Sequence, residues 1–192
     1  PTLSLVIRAP GSVQDRVAKL LEQNRQRLDL NLVFEVQTFE MSEEGKVESI
    51  GITFDPMLKT ARLDAKTVTS LLKSVTDNGG EILTIPKITV NNGNVACIKR
   101  TNDINRLHIP HLYLRGSVVA NSNSIRINTA FRSHSILQDL ISHSLKIDDG
   151  GFLLFDATEQ VQRENPKRSP GRRVYMLVQT RLLNTTEEPL SP

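Results

Sequence analysis

The stretch ILTIPKITVNNGNVACI, Ile82 to Ile98, decides the fold, because an apolar run, a polar turn and a shorter apolar run follow one another there. Asn92 and Gly93 tolerate the positive φ values that tight hairpin turns require, and the residues around them are β-branched. Pro86 interrupts the first run and has no N–H to donate, so it is expected at a sheet edge or a bulge. The stretch therefore predicts a β-hairpin whose first strand is interrupted by proline.

A helix is predicted directly before this hairpin. Asp64 is a favourable N-cap residue, and Asn78 to Gly80 supplies a left-handed C-terminal stop. The apolar side chains between them recur at helical spacing and form one stripe, which consists of Val68, Leu71, Leu72 and Val75. We therefore expect the segment from Lys59 to Ser70 to contain the start of a helix and no pair of long strands.

The N-terminal part predicts a strand, a helix and two further strands. Leu3 to Ile7 is a short apolar run, and Ser12 is placed to cap a helix that ends near Leu28. From Leu30 to Met41 apolar residues alternate with polar ones, which is typical of a long strand. After a turn, Val47 to Phe54 is predicted as its partner strand.

The C-terminal part predicts a second hairpin, two more strands and a loop. Leu112 to Ala120 and Ile125 to Phe131 flank a short polar turn and form the predicted hairpin. Gly151 to Phe155 and Val174 to Leu183 are the two further strands. Between them, Gln160 to Arg173 is polar and contains proline and glycine, so it predicts a mobile loop.

The composition is that of an ordinary globular protein, with 192 residues, 38% of them apolar and 23% charged. A net charge of +3, from 24 basic and 21 acidic residues, is too small to make nucleic acid the expected partner.

Cys97 is the only cysteine, so no internal disulfide forms, and its place in a strand predicts a buried free thiol. No run approaches the roughly 18 apolar residues of a membrane-spanning helix.

The sequence contains no motif of an enzyme or of a metal site. Pro110 separates His108 from His111 and prevents them from sharing a helix face, and no carboxylate or cysteine follows at ligand spacing. The adjacent acidic residues Asp148 and Asp149 point apart on a strand or a turn, which favours solvation over paired acid–base catalysis. The sequence therefore predicts a non-enzymatic protein without a cofactor or a bound metal ion.

The polar loop carries a cluster of basic side chains, which is the candidate interaction site. The cluster consists of Arg163, Lys167, Arg168, Arg172 and Arg173. Such a loop can bind the phosphates of nucleic acid or of lipid head groups, but no aromatic residues are interleaved with it for base stacking. A solvated loop or a contact between subunits is therefore the favoured interpretation.

The order of these elements resembles the core of the secretin family, the ring-forming outer-membrane channels of bacterial secretion and pilus systems. The predicted helix, a Gly-Gly pair, the proline-broken strand, the Asn-Gly turn and Ala96 follow one another as they do in that family. The residues expected to form structural turns are Pro86, Asn92, Gly93, Gly150 and Gly151.

Further segments resemble the family in the same order. Leu3 to Leu28 resembles the second half of the small ring-building domain that precedes a secretin core. Leu32 to Ser42, LVFEVQTFEMS, resembles the first core strand, and Ser49 to Ile52 the step after it. Asp149 to Phe155, DGGFLLF, resembles a strand near the end of the core, and Val174 to Leu183, VYMLVQTRLL, resembles the closing strand.

The chain also departs from the family's pattern. Asp156-Ala157 and the basic segment ENPKRSPGRR stand where the family has Gly-Gly and a Pro-x-Leu-Gly-x-Ile-Pro segment. The stretch between Phe54 and Asp64 is too short for the family's barrel hairpin, so a smaller or non-spanning barrel is the corresponding expectation.

The resemblance implies an α+β, sheet-dominated, secretin-like core of antiparallel strands with two helices. It implies that residues 1–29 are part of a ring-building domain, residues 30–184 the core and residues 185–192 a disordered tail. The implied function is that of a non-enzymatic structural or channel component, which assembles into a homo-oligomeric ring in the bacterial cell envelope.

The partners implied by the resemblance are further copies of the chain, other envelope or secretion proteins, and the membrane. The implied location is the periplasm or the outer membrane, with a signal peptide upstream of Pro1. The alternative is a soluble monomeric or dimeric binding domain that kept the secretin fold and lost the membrane barrel.

Overall fold

Two antiparallel sheets and three helices make up the part of the chain that the computed structural model describes, residues 8–28, 30–42, 47–98, 111–119, 124–132, 142–164 and 171–184. The helices are α1 (Gly11–Leu28), α2 (Ala65–Asp77) and α3 (Thr158–Glu164), and Val47–Ile50 forms one turn of 3-10 helix. The strands are β1 (Leu30–Ser42), β2 (Thr60–Leu63), β3 (Ile82–Asn91), β4 (Val95–Ile98), β5 (His111–Val118), β6 (Ser124–Arg132), β7 (Ser142–Asp148), β8 (Phe152–Asp156) and β9 (Arg172–Asn184).

The two sheets are called sheet A and sheet B. Sheet A has the strand order β2-β8-β9-β1-β3, and sheet B has the order β4-β5-β6-β7. Every neighbouring pair is antiparallel, and β1 pairs with β9 from Leu30↔Asn184 to Ser42↔Arg172. The predicted sheet-dominated α+β class is therefore confirmed, although α3 is a third helix where two were predicted.

The main core fills the space between the two sheets. Inward-facing side chains from both sheets meet there, among them Leu32, Phe34, Val36, Leu112, Leu114, Ile125, Ile127, Leu145, Ile147, Met176 and Val178. Gly116 on β5 faces β1 in this core. A Cβ atom at that position would lie 2.5 Å from Leu32 Cδ1 and 3.1 Å from Phe34 Cζ, so only glycine fits without a rearrangement.

A second core lies on the other face of sheet A, beneath α2. Successive side chains of a strand point to opposite faces, so Phe39, Met41, Tyr175 and Leu177 project away from sheet B. They pack against the apolar stripe of α2, which consists of Val68, Leu71 and Val75 with Leu72 at its margin. Sheet A is therefore the middle of three layers, and both apolar rows of its central strands are covered.

The turn from Asn91 to Asn94 connects the two sheets, so the predicted hairpin is wrong. β3 pairs with β1 in sheet A, whereas β4 pairs with β5 in sheet B. The turn itself forms as expected, and Gly93 has a φ of 84°. Asn92 explains the switch, because its N–H donates to Leu30 O at 2.9 Å and its Oδ1 accepts from Val118 N at 2.9 Å. One residue thus bonds to both sheets.

Pro86 lies both in an edge strand and at a bulge, which confirms the prediction from the sequence. β3 is the outermost strand of sheet A. Pro86 and Lys87 together lie opposite the single residue Glu35, so the register shifts by one residue there. Lys87 Nζ lies 2.7 Å from Glu35 Oε1 across this bulge.

The segment from Val47 to Phe54 is not a strand, so that prediction is wrong. It begins with the 3-10 turn and continues through Gly51, whose φ is 82°. Val47 and Ile52 are both buried beneath α2, and Ile52 N donates to Val47 O at 3.3 Å. The physical reason is that β9 and β3 occupy both edges of β1, which leaves no edge for a further partner.

The first helix is confirmed, but its cap is not. α1 begins at Gly11, so Ser12 lies inside the helix, and the carbonyl of Pro10 accepts the N–H groups of Val13 and Gln14. The predicted strand from residue 3 to residue 7 and the predicted tail from residue 185 lie outside the described residues.

The second predicted hairpin is confirmed as β5 and β6, and the two later strands are confirmed as β8 and β9. The short β2 and the edge strand β7 were not predicted.

Cys97 is exposed, which corrects the expected buried thiol. The reason is that side chains alternate between the two faces of β4, and Ala96 and Ile98 take the two inward positions.

The predicted α2 is confirmed at both ends. Asp64 is its N-cap, and its Oδ1 accepts from Thr67 N at 2.7 Å. Gly79, with a φ of 68°, follows the C-cap Asn78. The hydrogen bond from Thr67 holds the pKa of Asp64 below its ordinary value.

We expect Asp64→Ala to lower the unfolding temperature at neutral pH, because the Thr67 N–H then loses its acceptor. The folded pKa of Asp64 is lowered, so the stabilisation by its carboxylate is complete above the unfolded value near 3.8. It is lost as the pH falls through the folded pKa. The difference between the two proteins in thermal melts should therefore start to shrink only below about pH 3.8, and it should keep shrinking as the pH falls through the lowered folded pKa. Asparagine can also cap the helix, but it does not titrate. The difference in unfolding temperature between Asp64→Asn and Asp64→Ala should therefore not depend on pH.

Candidate interaction surfaces

The basic residues that were predicted to share one mobile loop lie in different elements. Arg163 is in α3, and Arg172 and Arg173 open β9. Lys167 and Arg168 lie outside the described residues. The loop prediction is therefore wrong at both ends of the segment.

Hydrogen bonds to the body of the fold explain why a helix and a strand replace the loop. Asp156 Oδ1 accepts from Thr158 N at 3.0 Å where α3 begins. The hydroxyl of Thr158 accepts from Val174 N at 3.0 Å, which joins α3 to β9. β9 then pairs with β1 from its first residue, Arg172, which lies opposite Ser42.

Three of the predicted basic residues make ion pairs near the protein surface. The pairs are Arg163 Nη2–Glu159 Oε2 at 3.6 Å, Arg172 Nη1–Glu40 Oε2 at 3.5 Å and Arg173 Nη1–Asp156 Oδ2 at 3.7 Å. Both side chains of the Arg163–Glu159 pair are exposed, and pairs of that kind contribute about 0–1 kcal/mol, whereas Glu40, Asp156 and Arg173 are half-buried.

A cleft of about 310 Å³ lies between α3 and the start of β9. Its wall includes Lys59, Asp156, Glu159, Arg172 and Arg173. The volume is at the lower end for small-ligand sites, which are mostly apolar, whereas this wall is mainly charged. The cleft suits a charged side chain of a partner or a small polar molecule.

Sequence reasoning missed this cleft. Lys59 reaches it because β2 pairs with β8, and Asp156 N donates to Lys59 O at 3.0 Å. β2 has four residues, which is too short for a recognisable alternating pattern. No local signal in the sequence places Lys59 beside Asp156.

A second surface is the apolar stripe of α1, called here the α1 stripe and consisting of Val13, Val17, Leu20 and Leu21. Val13 is 41% exposed, Leu20 57% and Leu21 51%, and Val17 is half-buried. The side chains of the other α1 residues up to Gln23 are exposed as well. The described part of the chain therefore leaves this stripe largely uncovered.

The predicted structural turns lie at joints of the fold. The Asn92-Gly93 turn joins the two sheets, as described above. Gly150, with a φ of 77°, donates its N–H to Thr180 O at 2.8 Å. A Cβ atom on Gly151 would lie 2.6 Å from Ile147 Cγ1, so glycine permits the close approach of this turn to β7.

Within the described ranges, no three His, Cys, Asp or Glu side chains converge in a way that could hold a metal ion. The side chains of all four histidines lie outside the described part of the chain. None of the described helices is long and apolar enough to cross a bilayer. The expected lack of catalysis, metal and cofactor stays a prediction.

Comparison with protein-family models, with curated proteins and with solved structures found no significant match to this chain. The similarity to secretins therefore rests on the sequence segments named above.

Proposed function

We propose that this protein is a non-enzymatic, secretin-like structural component that assembles into a homo-oligomeric ring in the bacterial cell envelope. The observation that carries the proposal is the exposed α1 stripe. The order of the secretin-like segments in the sequence supports it. Other envelope or secretion proteins and the membrane are the further partners that we propose.

The α1 stripe supports self-association because of how amphipathic helices gain stability. In proteins, most of the stability of a helix comes from packing its apolar face on a partner and not from intrinsic propensity. α1 has 18 residues, and Leu20 and Leu21 are more than half exposed. A neighbouring subunit supplies the missing packing in the proposed ring.

The sheet edges support the same proposal, because they differ in how well they are protected against pairing with a strand of another chain. β2 and β4 have four residues each, and β3 carries the Pro86 bulge and the exposed Lys87. Short strands, prolines, bulges and lysines are features that prevent unwanted edge pairing. β7 has seven residues and a regular register without proline, and no described strand pairs with its outer edge. We therefore assign β7 as the edge that a neighbouring subunit completes.

We propose that the α1 stripe and the β7 edge of one copy each contact a different surface of the next copy, which makes the contacts head-to-tail. Such contacts generate a closed ring when the rotation between subunits closes on itself. Light scattering after gel filtration, with negative-stain electron microscopy of the same fractions, is the test. A cyclic particle of many subunits is expected. A monomer that persists across protein concentrations and in detergent would contradict the proposal.

The alternative function, a soluble monomeric or dimeric binding domain, is favoured by one observation, the charged cleft between α3 and β9. In that case the cleft is the binding site, and Arg172 and Arg173 are the first residues to substitute. A persistent monomer that loses binding of an anionic partner in Arg172→Ala would support this alternative.

A further inference from the structure

Among the described side chains on the outer face of sheet B, which points away from sheet A, three basic ones lie on three neighbouring strands. Arg126 on β6 lies directly opposite Lys146 on β7. Arg115 on β5 lies opposite Asn128, two residues along β6 from Arg126. Arg115, Arg126 and Lys146 are all exposed, and they are called here the basic row. The register of the sheet, and not their sequence spacing, brings them together.

The basic row has no ion pair among the described residues. Arg115 uses its Nε to donate to Gly93 O at 2.8 Å, which fixes the side chain beside the turn between the sheets. Asp148, two residues along β7 from Lys146, carries a carboxylate on this face, and its Oδ1 accepts from the hydroxyl of Ser124 at 2.9 Å. Like charges directly opposite each other across two strands destabilise a sheet. Such departures from local rules are characteristic of functional sites.

The part of the same face nearest β4 is mainly apolar. Val95 is 54% exposed, and Cys97, next along β4, is exposed as well. Tyr113 lies opposite Cys97, and Ala130 lies opposite Tyr113, and both are half-buried. One face therefore combines a small apolar patch, an aromatic ring and a row of cations, which is the composition of many protein–protein interfaces.

We propose that this face of sheet B binds an acidic polypeptide segment, whose carboxylates meet the basic row and whose apolar side chains cover Val95 and Tyr113. Guanidinium groups recognise carboxylates through paired hydrogen bonds, which suits Arg126. Nucleic acid fits less well, because the described part of the face offers one aromatic side chain for stacking. A bilayer fits less well too, because Tyr113 is half-buried and the described part of the face offers no exposed aromatic side chain.

This inference goes beyond the proposed ring. The basic row lies on a sheet face, whereas the ring contacts use the α1 stripe and the hydrogen-bonding edge of β7. Loss of binding and loss of assembly are therefore separate results.

The test measures binding of a fluorescein-labelled oligoglutamate peptide with a central leucine, by fluorescence anisotropy, to Arg126→Glu and to wild type. We expect Arg126→Glu to weaken binding by at least about fivefold. Lys73→Glu is the matched control, since Lys73 is exposed on α2 and the change in net charge is the same. The control should weaken binding by less than about twofold.

Stability separates recognition from a structural role. Arg126 and Lys146 are like charges on opposite positions of β6 and β7, and Arg126→Glu turns them into a pair of opposite charges. The variant should therefore melt at a higher temperature than wild type, although it binds the peptide more weakly. Equal losses of binding in both variants would overturn the proposal, because the peptide would then sense net charge alone. Tighter binding of single-stranded DNA or of phosphatidylglycerol vesicles, lost in the same variant, would also overturn it.

Discussion

Gly116→Ala is expected to destabilise the protein by about 1–3 kcal/mol, the usual range for overfilling a packed core. The added Cβ would lie 2.5 Å from Leu32 Cδ1 and 3.1 Å from Phe34 Cζ. Both neighbours are fully buried between the sheets, so neither side chain can move into solvent. The measurement is the free energy of unfolding from urea titration, followed by circular dichroism.

Two variants make this prediction specific. Gly11→Ala adds the same methyl group where nothing lies within 4 Å, and it should change the unfolding free energy by less than about 0.5 kcal/mol. Leu32→Val removes the clashing Cδ1 atom, so Gly116→Ala should destabilise the Leu32→Val protein less than it destabilises wild type. Equal effects in the two backgrounds would show that the clash is not the cause.

If the proposed ring forms, replacing Leu20 and Leu21 by glutamine is expected to leave the protein as monomers. Glutamine has nearly the helix propensity of leucine, so α1 keeps its intrinsic preference and loses only its apolar contact surface. Both side chains are more than half exposed in the single chain, so the folded subunit loses little packing. Light scattering reports the change in mass, and circular dichroism reports whether the subunit stays folded.

The control for this pair of substitutions lies on the opposite side of the same helix. Asp15→Gln together with Lys19→Gln leaves the net charge unchanged and leaves the α1 stripe intact. This control should assemble like wild type. An unchanged particle mass in the leucine variant would show that the α1 stripe does not hold the assembly together.

Elements that are specified by neighbouring residues could be predicted from the sequence. α2 is the clearest case, because its N-cap Asp64, its apolar stripe and its left-handed stop at Gly79 all lie within one short segment. The place of Pro86 was predictable for the same reason, since the missing N–H is a property of the residue itself.

Strand partners could not be predicted, because distant residues decide them. The Asn92-Gly93 turn has the chemistry of a hairpin, yet the hydrogen bonds of Asn92 to Leu30 and Val118 direct its two strands into different sheets. The predicted strand after Val47 failed because β9, which lies at the other end of the sequence, occupies the edge of β1. The candidate surfaces follow the same rule, since the basic row exists only once the register of sheet B is known.

The pairing of β1 with β9 also bears on how the protein is made. The centre of sheet A joins the first described strand to the last, from Leu30↔Asn184 to Ser42↔Arg172. During synthesis β1 therefore emerges from the ribosome long before β9. Until β9 has been made, the apolar side chains of β1 are not covered by a complete sheet. Contacts this distant in sequence form slowly and leave a nascent chain open to aggregation. Sheet A closes only after translation has passed Asn184.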